Sequence, residues 1–355
     1  MESNYLLAPK ANHGFICKIP MKGTRQVYVV NGHIQGNEGG PLALSFPKGE
    51  CDDTMLQVIF VRTTGESGKI SGICMSCAPS EKADDGGAIE LDTASSIEFG
   101  EDCSKKLLLC SHTFTPDRFL TRERCEINVR RGANADITVM QNENNRSVHL
   151  TDYTINMEEG SALKMIFISL HGGKISNKLK VNLNGEHIDC NLKGLCLADG
   201  EQHMDTEVLM EHYKPNCNSN QLFKYILDDK AIADFYGLIR VAQDAQKTNA
   251  YQANHNLLIS DYAKVHTKPQ LEIYADDVKC SHGATVGRLN EDELFYMRSR
   301  GISLHEAQLL QQKAFANGVL EGISSRELRL RMESLVDSRL RGEFSSCRNC
   351  SKNCC

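Results

Sequence analysis

Short apolar, β-branched runs recur through the middle of the chain, broken by Gly, Asn and Asp. They occupy residues 58–61, 127–129, 137–140, 154–157, 163–170, 179–183, 223–227, 232–241, 257–260 and 271–274. Runs of this length bounded by turn formers predict strands, and their number predicts a mainly β body from about Leu56 to Val278. Ahead of it, 26–30 reads as a strand and Asn31-Gly32 as a tight hairpin turn. Gly36, Gly39, Gly40, Pro41 and Pro47 then break the chain. A sandwich, a barrel and a solenoid all fit the spacing. The β-rich stretch is longer than one sandwich usually needs. Several strands alternate only loosely, as where one face lines a stacked interior. Asn182, Asn184, Asn191, Asn218, Asn220, Asn254 and Asn256 fall at candidate corners, where Asn tolerates left-handed backbone. These features point to a solenoid and leave the sandwich open. No short repeat is visible, so any coil is long-pitched and irregular.

After Gly287 the period becomes helical. Asn290 and Glu293 form a capping-box pair ahead of Leu294, Phe295 and Met297, with Gly301 as the stop. Ser303 with Glu306, and Ser324 with Glu327, repeat the device. Three short helices are expected, too small to hold a core of their own, so they must dock on the β body, on a partner, or on both. The chain thus divides into N-terminal strands and loops over 1–52, a β core over 53–288, a helical region over 289–342 and a Cys-rich tail, expected to be disordered, over 343–355.

Composition narrows the function. The chain has 355 residues, 41% of them apolar, enough for a sizeable core. Lys and Arg total 40 against 46 Asp and Glu, a formal charge of -6, which argues against a general nucleic-acid binder. No apolar run is long enough to span a membrane, and Met1 to Gly14 lacks a basic-then-apolar leader, so a cytoplasmic location is expected. Fifteen cysteines, an odd number at irregular spacing, do not suit a disulfide framework and read mostly as small buried residues. Two groups stand apart. Cys347-x-x-Cys350 with Cys354-Cys355 could bind zinc or an iron–sulfur species, or do little in a mobile tail. Cys74-x-x-Cys77 lacks the helix that a redox motif needs.

The best candidate for chemistry is the segment from Pro269 to Gly287, a strand, an Asp276-Asp277 turn, and then Cys280 and His282. Residues two apart in an extended chain face one side, so thiol and imidazole project together and could share a soft metal or a sulfur-bearing group. A nearby imidazolium would also lower the thiol's pKa. A packed Cys and a satisfied His at a domain junction are the more common explanation of such a pair. His203, Asp205, Glu211 and His212 could be metal ligands, or ordinary polar residues on two strands. No phosphate loop, nucleophile elbow or zinc-binding helix motif is present.

Here a resemblance enters. The runs Phe235-Tyr-Gly-Leu-Ile-Arg-Val, Ala245-Gln, Gln252-Ala-Asn-His-Asn-Leu-Leu-Ile-Ser and Pro269-Gln-Leu-Glu-Ile-Tyr-Ala-Asp-Asp-Val-Lys-Cys-Ser-His-Gly-Ala-Thr resemble the SufB/SufD family of iron–sulfur cluster assembly scaffolds. The likeness continues through Leu294-Phe-Tyr-Met-Arg-Ser-Arg-Gly-Ile and Ala307, and more loosely over 127–227. Cys-Ser-His-Gly is similar to the SufD branch: SufB-type chains flank the equivalent histidine with carboxylates, where this chain has Ser281 and Gly283. The residues before Val27 lack the helical periodicity that usually opens SufD chains, and the Cys-rich tail is not part of the pattern.

The resemblance implies a right-handed parallel β-helix with a helical C-terminal part, and a non-catalytic scaffold subunit. Its partners would be a SufB-like paralogue and a SufC-like ABC-type ATPase, with a sulfur donor system acting indirectly, no nucleic acid and no membrane. A homodimer is implied for the isolated chain. By this likeness His282 and Cys280 lie at the SufB–SufD junction, where a transient iron–sulfur cluster shared with the partner forms, and no cofactor stays bound. Leu294, Phe295, Tyr296, Arg298, Arg300, Gly301, Ala307 and Phe315 would form the ATPase-docking surface. The absent phosphate loop agrees, because the nucleotide chemistry would belong to the partner. Two alternatives are a metal-binding redox protein using the Cys-rich tail and a carbohydrate-acting β-helix protein. The second needs export and a cluster of carboxylates or basic residues on one strand face, neither of which is found.

Overall fold

The computed structural model describes residues 24–34, 41–52, 54–62, 87–113 and 117–342. The predicted Cys74-x-x-Cys77 pair, the tail over 343–355 and most residues before Val27 lie outside them.

Eighteen strands alternate between two sheets. The first sheet contains β1 (Arg25–Val30), β2 (His33–Ile34), β4 (Leu56–Arg62), β6 (Ser104–Thr113), β8 (Asn134–Asn142) and β10 (Ala162–His171). It continues with β12 (Asp189–Ala198), β14 (Asn218–Leu227), β16 (Asn249–Leu258) and β18 (Lys279–Gly287). The second contains β3 (Leu42–Phe46), β5 (Ile89–Phe99), β7 (Phe119–Val129) and β9 (Val148–Met157). Next come β11 (Lys174–Leu183), β13 (His203–His212), β15 (Ile232–Val241) and β17 (Lys264–Ile273). From β3 to β16 each strand pairs in parallel with the strand two places on, the mark of a coil; at the start β1 pairs in parallel with β4 and forms a hairpin with β2. The result is a parallel β-solenoid of about eight turns. Ile232 pairs with Lys264 and Val148 with Lys174, so from β5 onward a turn takes between 26 and 32 residues, whereas Leu42 pairs with Ser95 and Leu56 with Leu107, one turn of more than 50 residues.

Inward side chains of the two sheets form one core along the axis, from Val29 and Val58 through Ile137, Met165 and Leu192 to Phe235 and Ile239. The later halves of β6, β8, β10 and β12 are buried on both faces, which is why these strands alternate only loosely. The corners are left-handed residues stacked one turn above another, namely Asp102, Gly132, Gly160, His187, Asn216 and Lys247. The asparagines expected at corners are mostly elsewhere. Asn182, Asn191, Asn218, Asn220, Asn254 and Asn256 lie inside strands. In-register stacking brings like amides together there, so Asn182 donates to Asn156, Asn156 to Asn128, and Asn249 to Asn218 at 2.8–3.0 Å.

Three helices follow: α1 (Glu291–Ser299), α2 (Leu304–Leu320) and α3 (Arg326–Leu340). Asn290 caps α1, its side chain accepting from the N–H groups of Asp292 and Glu293, while its own N–H is taken by Gln311 rather than by Glu293. Ser303 caps α2 as expected. The third cap is Ser325, not Ser324, because Ser324 accepts from Lys164 on the solenoid. The helices dock on the β body. Ala316, Val319 and Leu320 of α2 and Leu328, Met332 and Val336 of α3 pack on the outer face of the first sheet, against Ile166, Ile168, Leu195 and Leu197. Arg339 fixes the register with two hydrogen bonds to the Asp199 carboxylate and one to the Leu170 carbonyl. No described helix is long and apolar enough to cross a membrane.

Candidate functional site

The last turn of the coil, β17 and β18, has no strand beyond it among the described residues, so both sheets end there in open edges. After β17 the chain bends at Asp276-Asp277, held by the Asp277 N–H donating to Gln246 and the Lys247 N–H donating to the Asp277 carbonyl, and starts β18 at Lys279. Cys280 and His282 follow on one face of that edge strand.

Registration shows which face. His282 pairs with Gln252, Gln252 with Gln221, Gln221 with Leu192, Leu192 with Met165 and Met165 with Ile137. This column lines the interior, and it turns from aliphatic to amide to imidazole as it nears the end. Gln252 donates from Nε2 to Oε1 of Gln221 at 2.8 Å, while its own Oε1 is buried without a hydrogen bond. His282 stands in the next position and is exposed because nothing covers the final turn. A buried amide column is costly unless its groups are paired, and here it leads to the open end of the coil.

Cys280 is half-buried and packs against the core. Burial pushes its thiol pKa up, partly offset by a backbone hydrogen bond at Ala250. The expected lowering by a nearby imidazolium is not among the causes of this shift. The site offers an accessible imidazole beside a thiol that stays protonated at neutral pH.

The residues expected to dock an ATPase split in two. Phe295, Tyr296, Arg298, Arg300 and Gly301 are exposed, and the Arg300 guanidinium lies 5.1 Å from the Tyr296 ring centre. Leu294 and Ala307 are buried, and Phe315 packs beneath Lys224, whose ammonium lies 4.6 Å from its ring. The first group forms a surface; the second holds the helices in place. Leu304 and Leu310 of α2 are exposed too.

The four residues read as ligands on two strands lie on one, β13. His212 faces the interior and bonds to Ser219 at 2.9 Å, with burial pushing its pKa down to about 4. His203, Asp205 and Glu211 face outward. His203 and Asp205 meet Asp234 of β15, which in turn meets His266 of β17; both are too far away in sequence to have been grouped with them. Burial acts to raise the Asp234 carboxyl, but hydrogen bonds from His203 and His266 outweigh it and hold the group below the usual carboxylate range.

A family model described as the SufBD core domain of the SUF system of iron–sulfur cluster assembly matches residues 86–315. The chain is 40% identical to the iron–sulfur cluster assembly protein SufD of Escherichia coli over 226 residues, covering 63% of this chain and 53% of that protein. It is 38% identical to an iron–sulfur cluster assembly SufBD family protein of Synechocystis, covering 59% of this chain and 46% of that one. It is 34% identical to the chloroplastic protein ABCI7 of Arabidopsis thaliana, covering 59% and 45%. The chain spans about half the length of these relatives. Together with the solenoid they match, these similarities assign it: the chain belongs to the SufB/SufD core family of the iron–sulfur cluster assembly system, on its SufD branch.

Proposed function

We propose that this chain is a non-catalytic scaffold subunit of a SufB–SufC–SufD type complex, in which iron–sulfur clusters are built and passed to apo-proteins in the cytoplasm. The observation that carries the reading is His282, exposed on the edge strand at the open end of the coil. An edge with free N–H and C=O groups is a template for another chain's strand, so a SufB-like paralogue is the partner that fits it, and in its absence a second copy. His282 would then face the junction and offer an imidazole to the nascent cluster, which is cargo rather than a resident cofactor. Few, labile ligands at a separable seam suit a cluster that must leave again, better than a closed four-thiolate cage. Cys280, protonated and half-buried, would serve as the accompanying sulfur once partner contacts or iron favour its thiolate.

ATP hydrolysis would belong to a SufC-like ABC-type ATPase. The exposed Phe295, Tyr296, Arg298 and Arg300 of the α1 region offer it an apolar and basic surface. Sulfur would arrive through a donor system acting on the complex as a whole.

The test is cluster assembly by the co-expressed complex with His282→Ala. The expected result is loss of cluster with an unchanged thermal midpoint, since an exposed side chain contributes little stability. Wild-type cluster content in the variant complex would remove His282 from the site, and failure of the wild-type chain to co-purify with SufB- and SufC-like proteins would remove the scaffold role.

A further inference from the structure

We propose that His203, Asp205 and Asp234, on the outer face of the second sheet, form a binding site for a divalent first-row cation, with His266 orienting Asp234. The site lies on the solenoid wall, apart from the open end and from the helices. Its components are set by the ladder: Asp205 of β13, Asp234 of β15 and His266 of β17 are consecutive register partners, and His203 lies two residues before Asp205 on the same face.

Nε2 of His203 lies 2.6 Å from Oδ2 of Asp234 and 2.7 Å from Oδ1 of Asp205. One ring N–H can donate along only one direction. Asp234 takes that hydrogen bond, and Asp205 Oδ1, shielded from solvent, has none although it faces the same nitrogen. One imidazole nitrogen and two carboxylate oxygens thus converge, all within 4.8 Å of one another. A cation satisfies such a set more fully than a proton does. The remaining oxygens are held from outside the cluster, Asp234 Oδ1 by His266 Nδ1 at 2.7 Å and Asp205 Oδ2 by Lys174 at 3.0 Å. That is the outer-shell support that fixes ligating carboxylates.

Charge points the same way. Two carboxylates, Asp205 and Asp234, face the one Lys174 ammonium, which favours a cation between them. Ligand atoms bound to one tetrahedral ion at about 2.0–2.2 Å stand roughly 3.3–3.6 Å apart, so the imidazole needs to draw back from each oxygen by roughly 0.6–1 Å. His203, one-third exposed, has room to do so. One imidazole with two carboxylates suits Mn2+, Fe2+ or Zn2+ rather than a soft ion.

Mn2+ is the probe of choice because it avoids thiolates, which keeps the many cysteines out of the measurement. Titration of the full chain, with free Mn2+ read by its EPR signal, should find one ion per chain. Asp205→Asn and Asp234→Asn should each weaken binding at least about tenfold, and His266→Ala by about tenfold, the size expected of an outer-shell partner. Glu207→Gln, an exposed carboxylate on the same strand, should change nothing. Circular dichroism establishes that each variant is folded, and His203→Gln replaces any that is not. Absence of binding up to about 1 mM Mn2+, or binding that survives both Asp→Asn substitutions in folded protein, would overturn the proposal and leave the cluster as an imidazolium held by two carboxylates.

Discussion

Gly237 lies against the side chain of Gln252 across the coil interior: a Cβ on Gly237 would sit 2.3 Å from Nε2 of Gln252. Glycine here is a matter of space, since the amide that leads to His282 occupies the volume any larger residue would claim.

Gly237→Ala should therefore cost about 1–3 kcal/mol by overpacking. Most of that loss should vanish in a Gln252→Ala background. Urea denaturation of the two single variants and the double variant closes the cycle, and strict additivity would contradict the steric account.

The two ends of the charge scale can be compared within one protein. Arg62 is buried, bonded to the Glu143 carboxylate and, at 2.8 Å, to Thr121. Arg62→Met strands a buried carboxylate and should cost about 3–5 kcal/mol. Arg124 meets Asp92 at 3.1 Å with both side chains well exposed, so Arg124→Met should cost less than about 1 kcal/mol. Equal losses in denaturant midpoint would refute the distinction.

Stability should fall as pH drops below about 6.5. Burial pushes His112 and His212 down from 6.5 to about 4, and pushes His171 well below its usual range with the Arg339 charge adding to the effect. These imidazoles stay neutral in the folded chain and take protons in the unfolded one. Their contribution is complete above the unfolded value and is lost progressively as pH falls toward 4. His212→Gln should flatten that slope by up to about 1.4 kcal/mol per pH unit, measured as denaturation midpoints from pH 7.5 to 4.5. An unchanged slope would argue against a neutral buried imidazole.

Cys280 should alkylate more slowly than glutathione at pH 8, and its rate should keep rising at higher pH, because burial raises the thiol's pKa. Peptide mapping after timed iodoacetamide exposure measures this. Labelling faster than glutathione would mean an activated thiolate.

Phe295→Asp and Tyr296→Asp should leave the thermal midpoint unchanged while abolishing recovery of an ABC-type ATPase in a pull-down. Leu294→Asp, which places a charge at a buried position, should loosen the helices themselves. Undiminished recovery with both surface variants would move the docking site elsewhere.

Much of this was legible in the residues. The β-branched runs located many of the strands, Asn31-Gly32 forms the hairpin it suggests, and two of the three caps stand where the serine and asparagine indicated. Cys280-x-His282 marked the edge strand, because a period of two needs only adjacent sequence. What escaped notice depends on the coil's own period. Asp205, Asp234 and His266 are neighbours only once a turn of about thirty residues is wound. The same stacking turns asparagines, usually corner formers, into ladders inside strands. Burial of the later halves of β6, β8, β10 and β12 on both faces hid their alternation, and the position of Ser324 was decided by Lys164, a partner 160 residues away.

The helices reach back over turns laid down 140 to 169 residues earlier, fastening Ser324 to Lys164 and Arg339 to Leu170 and Asp199. The final strands are thus bracketed between the turns beneath them and a splint anchored upstream. Fraying of β17 and β18 costs the molecule one incomplete layer and leaves the winding intact, so hydrogen exchange at that rim should be fast and reversible while the clasped turns stay protected. A seam that must part to release what it holds can do so there without the coil beginning to unspool.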